Sequence, residues 1–277
     1  MSEWFVSTAW LAEHLKSPDV AIVDASWYLP TAKRDAHAEY LVGHIPGAVF
    51  FDIDAIADRT TDLPHMLPTP ADFAHMVGAL GISEQMTIVI YDEAGLFSAP
   101  RVRWTFLAMG ARNVKILAGG GARWRAERRP IEAGSVSRAP AHFKAHFDRT
   151  AVVDFATVDH VRRDTETTIV DARPADRFAG KAPEPRPGLK SGHIPGAFSV
   201  PSSELTRDGE LKPARELQKL FADRNIDIAG PLITTCGSGI TAAALALALE
   251  VAGATHVAVY DGAWAEWGSR PDAEIET

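Results

Sequence analysis

Cysteine is almost absent from this sequence, since Cys236 is the only one among 277 residues. A single cysteine excludes an internal disulfide, and it also excludes the cysteine-rich zinc and iron–sulfur sites. An excess of basic residues is absent too, because 28 Lys and Arg stand against 36 Asp and Glu, a net charge of −8. We therefore expect no nucleic-acid partner.

Long apolar runs are also missing, and no segment reaches the roughly 18 unbroken apolar residues of a membrane span. The first residues, MSEWFVSTAWLAEHLK, are amphipathic and interrupted by charged side chains, so they are not typical of a secretory signal peptide. These absences favour a protein of the reducing cytoplasm, with no membrane partner. In that compartment the thiol of Cys236 would stay available.

Cys236 lies where a thiol is easily activated. The run PLITT before it predicts a buried strand, and the run ITAAALALALEVAG after it predicts a helix. Gly237 and Gly239 permit a tight turn whose N–H groups point inward and cradle an anion. Because those N–H groups and the positive end of the helix dipole favour a thiolate, we interpret Cys236 as a candidate nucleophile.

The chain contains an internal duplication. The hexapeptide GHIPGA occurs at 43–48 and again at 192–197, and VDAS matches VDAR and GGGARW matches GAWAEW in the same order. A repeat of this length indicates a duplicated domain rather than a solenoid. We place an N-terminal domain at 1–125, a linker lying on the surface at 126–150 and a C-terminal domain at 151–277.

Each copy alternates short apolar runs with helix-forming segments joined by short connections. This alternation predicts an α/β fold with two tandem domains, each a parallel sheet flanked by helices on both faces. Ligands bind to such sheets beyond the carboxyl ends of the strands, where Cys236 is expected. Asp92 occupies the position of Cys236 in the first copy. A carboxylate accepts no sulfur, so we expect the first domain to be catalytically silent and to wall the site of the second.

These motifs resemble the two-domain rhodanese sulfurtransferases over nearly the whole chain. The loop Cys236–Thr241, CGSGIT, is similar to that of the subgroup using 3-mercaptopyruvate, whereas thiosulfate-specific members typically carry an Arg-Lys pair there. Further segments similar to that subgroup are SWYLP, FDID, HMLP, SAPRV and EPRPG. The resemblance implies two rhodanese-like domains.

The resemblance also implies an activity. Cys236 would take sulfur from 3-mercaptopyruvate as a persulfide, release pyruvate, and pass the sulfur to a thiol, thioredoxin or cyanide by ping-pong covalent catalysis. No metal or organic cofactor is implied, and a monomer is expected. Three alternatives remain: a thiosulfate:cyanide sulfurtransferase, a cysteine phosphatase and a non-enzymatic binding module. A phosphatase is disfavoured because the loop ends without the arginine that binds phosphate, and a binding module because the loop is intact.

Two arginines precede the second GHIPGA turn at positions where family members bind the substrate carboxylate and carbonyl. Arg177 and Arg186 would supply planar guanidinium groups that match a carboxylate bidentately. Alternatively, both arginines pair with neighbouring acidic residues such as Glu184. The substrate-binding residues implied by the loop are Gly237, Gly239, Ile240 and Thr241.

Three further residues complete the implied catalytic set. Ser238 would donate a hydrogen bond to the substrate or to the sulfur anion, or alternatively cap the helix. Asp54 and His65 match an acid and a histidine of the family's site, and would join Cys236 and Ser238 in a proton relay. Alternatively, Asp54 caps a turn and His65 lies on a loop. His44, present in both copies as His193, is interpreted as structural.

Overall fold

Contacts within the chain divide the protein into two compact units. The structure is a computed structural model that describes residues 3–164 and 166–277. Unit 1 comprises Met1–Asp58, Leu67–Asp148 and Asp208–Glu210. Unit 2 comprises Arg59–Met66, Arg149–Arg207 and Leu211–Thr277. Each unit therefore contains one copy of the repeat, except that two short segments group with the unit of the other copy.

Unit 1 is built on one parallel sheet. Its strands are β1 (Phe5–Val6), β2 (Val20–Asp24), β3 (Val49–Phe50), β4 (Thr87–Tyr91) and β5 (Val114–Leu117). Its helices are α1 (Thr8–His14), α2 (Ala36–Val42), α3 (Pro70–Ala79), α4 (Ala99–Ala108) and α5 (Gly120–Ala126). The strand order is β1-β5-β4-β2-β3, with every pair parallel. The central strands β2 and β4 are almost wholly buried, as parallel strands covered on both faces should be.

Unit 2 repeats this plan. Its strands are β6 (Val152–Val153), β7 (Thr168–Asp171), β8 (Phe198–Ser199), β9 (Thr206–Arg207), β10 (Glu210–Leu211), β11 (Leu232–Thr235) and β12 (Val257–Tyr260). Its helices are α6 (Phe155–Val161), α7 (Ala175–Phe178), α8 (Ala214–Ala222), α9 (Ile240–Ala252) and α10 (Ala263–Trp267). The main sheet has the order β6-β12-β11-β7-β8 and is parallel, while β9 and β10 form a separate small sheet. The predicted fold class is thus confirmed in both copies.

The GHIPGA turns are part of the two cores. Ile45 and Ile194 are buried among the apolar side chains of units 1 and 2, respectively. His44 Nδ1 lies 2.8 Å from the carbonyl oxygen of Tyr40, and its ring stacks on that tyrosine. His193 stacks on Phe178 in the same way. Equivalent packing in both copies supports a structural role for the two histidines.

The segment predicted as a surface linker is anchored to unit 1. Most residues of 126–150 are exposed, but the Phe143 side chain is buried against Phe73 and Phe106. The Ala141 N–H donates to the Gly78 carbonyl at 2.9 Å. The segment therefore lies largely on the surface, as expected, but one aromatic side chain anchors it in an apolar pocket of unit 1, and its role as a linker stays a prediction.

Short helices precede both GHIPGA turns, where the sequence indicated only a polar stretch. Helix α2 begins after Asp35, whose carboxylate accepts the Ala38 N–H at 2.9 Å and so caps the helix. Helix α7 is a single turn that carries Arg177. In the part of the chain that the structure describes, no helix is long and apolar enough to cross a membrane.

Candidate active site

Cys236 lies at the carboxyl end of β11, immediately before α9. The thiol-bearing residue is 2% exposed. Helix α9 begins at Ile240, and its N-cap is Gly239 at φ +82°, a left-handed conformation that favours glycine. No side chain caps α9, so the alternative role of Ser238 as the helix cap is wrong. Ser238 is buried within the loop between Cys236 and the cap.

Helix α10 fixes the loop through its own N-terminus. The N–H of Trp264 donates to the Cys236 carbonyl at 2.9 Å, and the N–H of Ala265 donates to the Gly237 carbonyl at 3.0 Å. The loop carbonyls are therefore turned toward α10 and away from the start of α9. Ile240 and Thr241 lie at the amino end of α9, and their contact with an anion next to the sulfur stays a prediction.

Arg177 is the predicted site residue that the structure brings against the cysteine loop. A Cβ atom added to Gly237 would lie 3.1 Å from Arg177 Nη2, so a side chain at position 237 would press on the guanidinium. Arg177 forms an ion pair with Glu184, as the alternative interpretation expected. That pair uses only Nη2, whereas Nε is buried without a hydrogen-bond partner among the described residues. A buried donor without a protein partner needs another acceptor, such as a water molecule or a bound ligand.

A network of buried charges holds Arg177 in place. Arg173 pairs with Asp171 through Nη2 and with Glu184 through Nη1, each at 2.7 Å. The guanidinium of Arg173 also lies 4.0 Å from the centre of the Trp264 ring. Asp171, Arg173 and Glu184 are each at most 2% exposed in their side chains. The carboxylates of Asp171 and Glu184 therefore pair with the guanidinium groups of Arg173 and Arg177, and each of these charges has a partner of opposite sign.

The sequence reasoning missed Arg173 and saw Glu184 only as an alternative partner for the arginines. A signal was available, because the aligned segments VDAS and VDAR differ in the residue that becomes Arg173. Arg186 follows Glu184 by two residues and is half-buried on the same loop. Its contact with a substrate stays a prediction.

Asp54 and His65 group with different units. Asp54 belongs to unit 1, and its carboxylate accepts the indole N–H of Trp27 at 2.9 Å. The turn that contains Asp54 is capped by Asp52, which accepts the N–H groups of Asp54 and Ala55, and the alternative role of Asp54 as a cap stays a prediction. His65 is buried, has φ +61° and lies in the segment that groups with unit 2. The proton relay stays a prediction.

The equivalent loop of unit 1 holds an anion of its own. Asp92 follows β4 and is 1% exposed. Its Oδ2 accepts the N–H groups of Phe97, Ser98 and Ala99 at 2.8 to 2.9 Å, and its Oδ1 accepts that of Ala94 at 3.0 Å. The Asp92 carboxylate therefore occupies the cradle of N–H groups that would otherwise be open to an anion.

Comparisons with known proteins agree with this architecture. The Rhodanese-like domain family matches residues 7–127 and 157–270. The chain belongs to this family.

Its similarity to particular members extends over the full length. It is 46% identical over 274 residues to 3-mercaptopyruvate sulfurtransferase of Escherichia coli K12, covering 99% of this chain and 98% of the relative. It is 43% identical over 270 residues to thiosulfate sulfurtransferase of Cricetulus griseus, covering 95% of this chain and 91% of the relative. The crystal structure of SseA from Escherichia coli, described as a 3-mercaptopyruvate sulfotransferase, superposes with a TM-score of 0.88 at 44% identity. The superposition covers 95% of this chain and 99% of the SseA chain.

Proposed function

We propose that this protein is a 3-mercaptopyruvate sulfurtransferase that carries sulfur on Cys236. The observation that carries the proposal is the buried Arg177 Nε, a donor without a partner on the guanidinium that contacts the cysteine loop. A substrate with a carboxylate at one end and sulfur at the other fits an arginine placed beside a thiol. The names of the full-length relatives support the same donor.

The chemistry begins with a substrate oriented by arginine. Arg177, with Arg186 on the neighbouring loop, would bind the carboxylate and carbonyl of 3-mercaptopyruvate. The Cys236 thiolate attacks the substrate sulfur, the carbon–sulfur bond breaks, and its electron pair passes to the enolate of pyruvate. Ser238 or water supplies the proton that converts the enolate to pyruvate. The enzyme is left as the Cys236 persulfide.

The outer sulfur of the persulfide then leaves. An acceptor thiolate, from a small thiol or from thioredoxin, attacks that sulfur and releases the Cys236 thiolate, which completes a ping-pong cycle. Cyanide accepts the same sulfur as thiocyanate. Backbone N–H groups at the start of α9 would stabilise the negative charge on either form of the cysteine. We further propose that the protein acts as a monomer in the cytoplasm.

The domain assignment belongs to the same proposal. Catalysis resides in the second domain, 151–277, because it carries Cys236, Arg177 and the charge network behind that arginine. The first domain, 1–125, is silent because the Asp92 carboxylate occupies the cradle at the equivalent loop. The segment 126–150 connects the two.

Thiosulfate is the second candidate donor. It is favoured by the similarity to the hamster thiosulfate sulfurtransferase, and disfavoured by a loop, Cys236–Thr241, that contains no cation for a dianion. Steady-state assays with both donors at equal concentration decide between them. We expect kcat/KM to be higher with 3-mercaptopyruvate, and a preference for thiosulfate would overturn the assignment. Cys236→Ser should abolish pyruvate release, and retained release would refute the persulfide mechanism itself.

A further inference from the structure

The two copies differ in what lies against the aspartate at the end of their second strand. In unit 2, Asp171 ends β7 and binds the guanidinium of Arg173 through both carboxylate oxygens. That guanidinium also donates to the Gly192 carbonyl at 2.8 Å and stacks on Trp264. The space beside Asp171 is therefore filled by a planar cation from the same chain.

Unit 1 keeps the aspartate but lacks the cation. Asp24 ends β2 and is 2% exposed, and Ser26 stands where unit 2 has Arg173. The Asp24 carboxylate accepts the Ser26 N–H at 2.9 Å. Within residues 3–164 and 166–277, no cationic side chain pairs with Asp24. A buried carboxylate without a cation is costly, and a bound cation would remove that cost.

The aromatic wall of this site is also missing in unit 1. Gly121 replaces Trp264, and the Glu93 carboxyl packs against its Cα. Arg125 donates to the Gly43 carbonyl, the equivalent of the contact that Arg173 makes in unit 2. Its ion pair is made with Glu93, at 3.2 Å, and its side chain is 41% exposed. Arg125 therefore covers the mouth of the space and does not neutralise Asp24.

The result is a cavity of about 640 Å³ within unit 1. Its lining includes Asp24, Ser26, Tyr28, Lys33, Glu39 and Arg125. This volume lies in the range of small-molecule sites. Glu39 is paired with Arg34, but the exposed Lys33 makes no ion pair with any described residue. The cavity thus presents an uncompensated carboxylate in its wall and an uncompensated ammonium group at its rim.

We propose that this cavity binds a small guanidino acid, with the guanidinium on Asp24 and the carboxylate at Lys33. The planar guanidinium is favoured over a simple ammonium because the equivalent aspartate of unit 2 binds one in bidentate fashion. The ligand would stand in for the Arg173 side chain that this copy lost. The cavity is lined by residues of unit 1, and the proposal does not depend on the proposed sulfur transfer.

The test is a calorimetric titration of the full-length protein with 4-guanidinobutyrate. Three matched probes separate its features: 4-ureidobutyrate keeps the shape but lacks the positive charge, butylguanidine lacks the carboxylate, and 4-aminobutyrate lacks the planar group. We expect the ureido compound to bind at least 10-fold more weakly, and the other two to bind more weakly by smaller factors. Equal binding of the ureido compound, or no binding of 4-guanidinobutyrate at 20 mM, would overturn the proposal.

Variants test the location. Asp24→Asn should weaken 4-guanidinobutyrate binding at least 10-fold, and Ser26→Arg should abolish it by supplying the guanidinium within the chain. Asp19→Asn, which neutralises an exposed carboxylate outside the cavity, should bind as the parent protein does. Unchanged affinity in a folded Asp24→Asn protein would contradict the proposal even where Ser26→Arg fails to fold.

Discussion

At the residue scale, Arg177 is held by an ion pair with Glu184 and is also the side chain that we propose for binding the substrate. Arg177 anchors to Glu184 through Nη2, and its Nε, which has no hydrogen-bond partner among the described residues, is the donor that we propose for the substrate. A guanidinium can do both because its donors are fixed in a plane, whereas an ammonium group is a single rotating point charge. The pairing of Arg177 with an acid is thus compatible with substrate binding.

Arg177→Lys tests this dual role. We expect the KM for 3-mercaptopyruvate to rise about 10- to 100-fold with a smaller change in kcat, because lysine loses the bidentate geometry that orients the carboxylate. Steady-state kinetics measure both parameters. Arg163→Lys, at an exposed ion pair with Asp159, is the matched control and should leave both unchanged. A normal KM for Arg177→Lys would count against the assignment.

Glu184 is a positioning residue, since it bridges Arg173 and Arg177. Glu184→Gln would leave two guanidinium groups with one carboxylate between them, so we expect a loss of about 3 kcal/mol in the free energy of unfolding. Urea denaturation measures this loss. The same variant should raise KM more than it lowers kcat, a split that a purely structural residue would not produce. Glu184→Asp, which keeps the negative charge, should recover part of the free energy of unfolding and part of the KM.

Asp24 should make stability depend on pH. Burial, the largest cause, raises its pKa from 3.8 to about 6, with opposing hydrogen bonds from Ser26 and Tyr91 and a further rise from Glu93. Tyr40, whose own pKa is raised partly by the Asp24 charge, also faces it. Between pH 3.8 and 6 the folded state holds a proton that the unfolded state has lost, so stability falls as pH rises.

The Asp24→Asn variant isolates this contribution. We expect its free energy of unfolding to gain about 2 kcal/mol on the parent protein between pH 4 and pH 7. Urea denaturation across that range measures the difference, and Asp19→Asn is the exposed control. A constant difference between Asp24→Asn and the parent across these pH values would contradict the raised pKa.

At the element scale, the strand–loop–helix unit that carries Cys236 could be predicted from sequence. The run LITT is wholly buried as β11, and ten residues of α9 are buried because the helix is apolar on all sides. Helix α7 could not be predicted, since four residues are too few to show a helical period. The pairing of Arg173 with Glu184 spans eleven residues, in which α7 is the one regular element, and depends on tertiary packing.

The equivalent strand–loop–helix unit of unit 1 depends on Asp92 for its stability. Asp92→Ala would leave four N–H groups without their acceptor, two of them buried, so we expect a loss of about 3 kcal/mol in the free energy of unfolding. Thermal or urea denaturation measures the loss. Asp72→Ala, at an exposed position in the first turn of α3, is the control and should cost about 1 kcal/mol or less. Equal costs for the two variants would argue against a structural anion in this loop.

At the scale of the whole molecule, the two copies of the repeat share one loop geometry but carry different side chains in it, Asp92 and Cys236. Both copies turn the carbonyl of the first loop residue toward a short helix, with Gly121 N–H on the Asp92 carbonyl and Trp264 N–H on the Cys236 carbonyl. One copy then fills its cradle with a fixed carboxylate, and the other keeps a thiol there. The duplication could be predicted from the sequence, because GHIPGA and its flanking motifs occur twice in the same order.

We propose that Cys236 carries the transferred sulfur as a persulfide. Intact-protein mass spectrometry after incubation with 3-mercaptopyruvate, without an acceptor, tests it most directly. We expect a mass gain of one sulfur atom, removed by cyanide or by a thiol and absent from Cys236→Ala. No gain in the parent protein, or the same gain in Cys236→Ala, would contradict it.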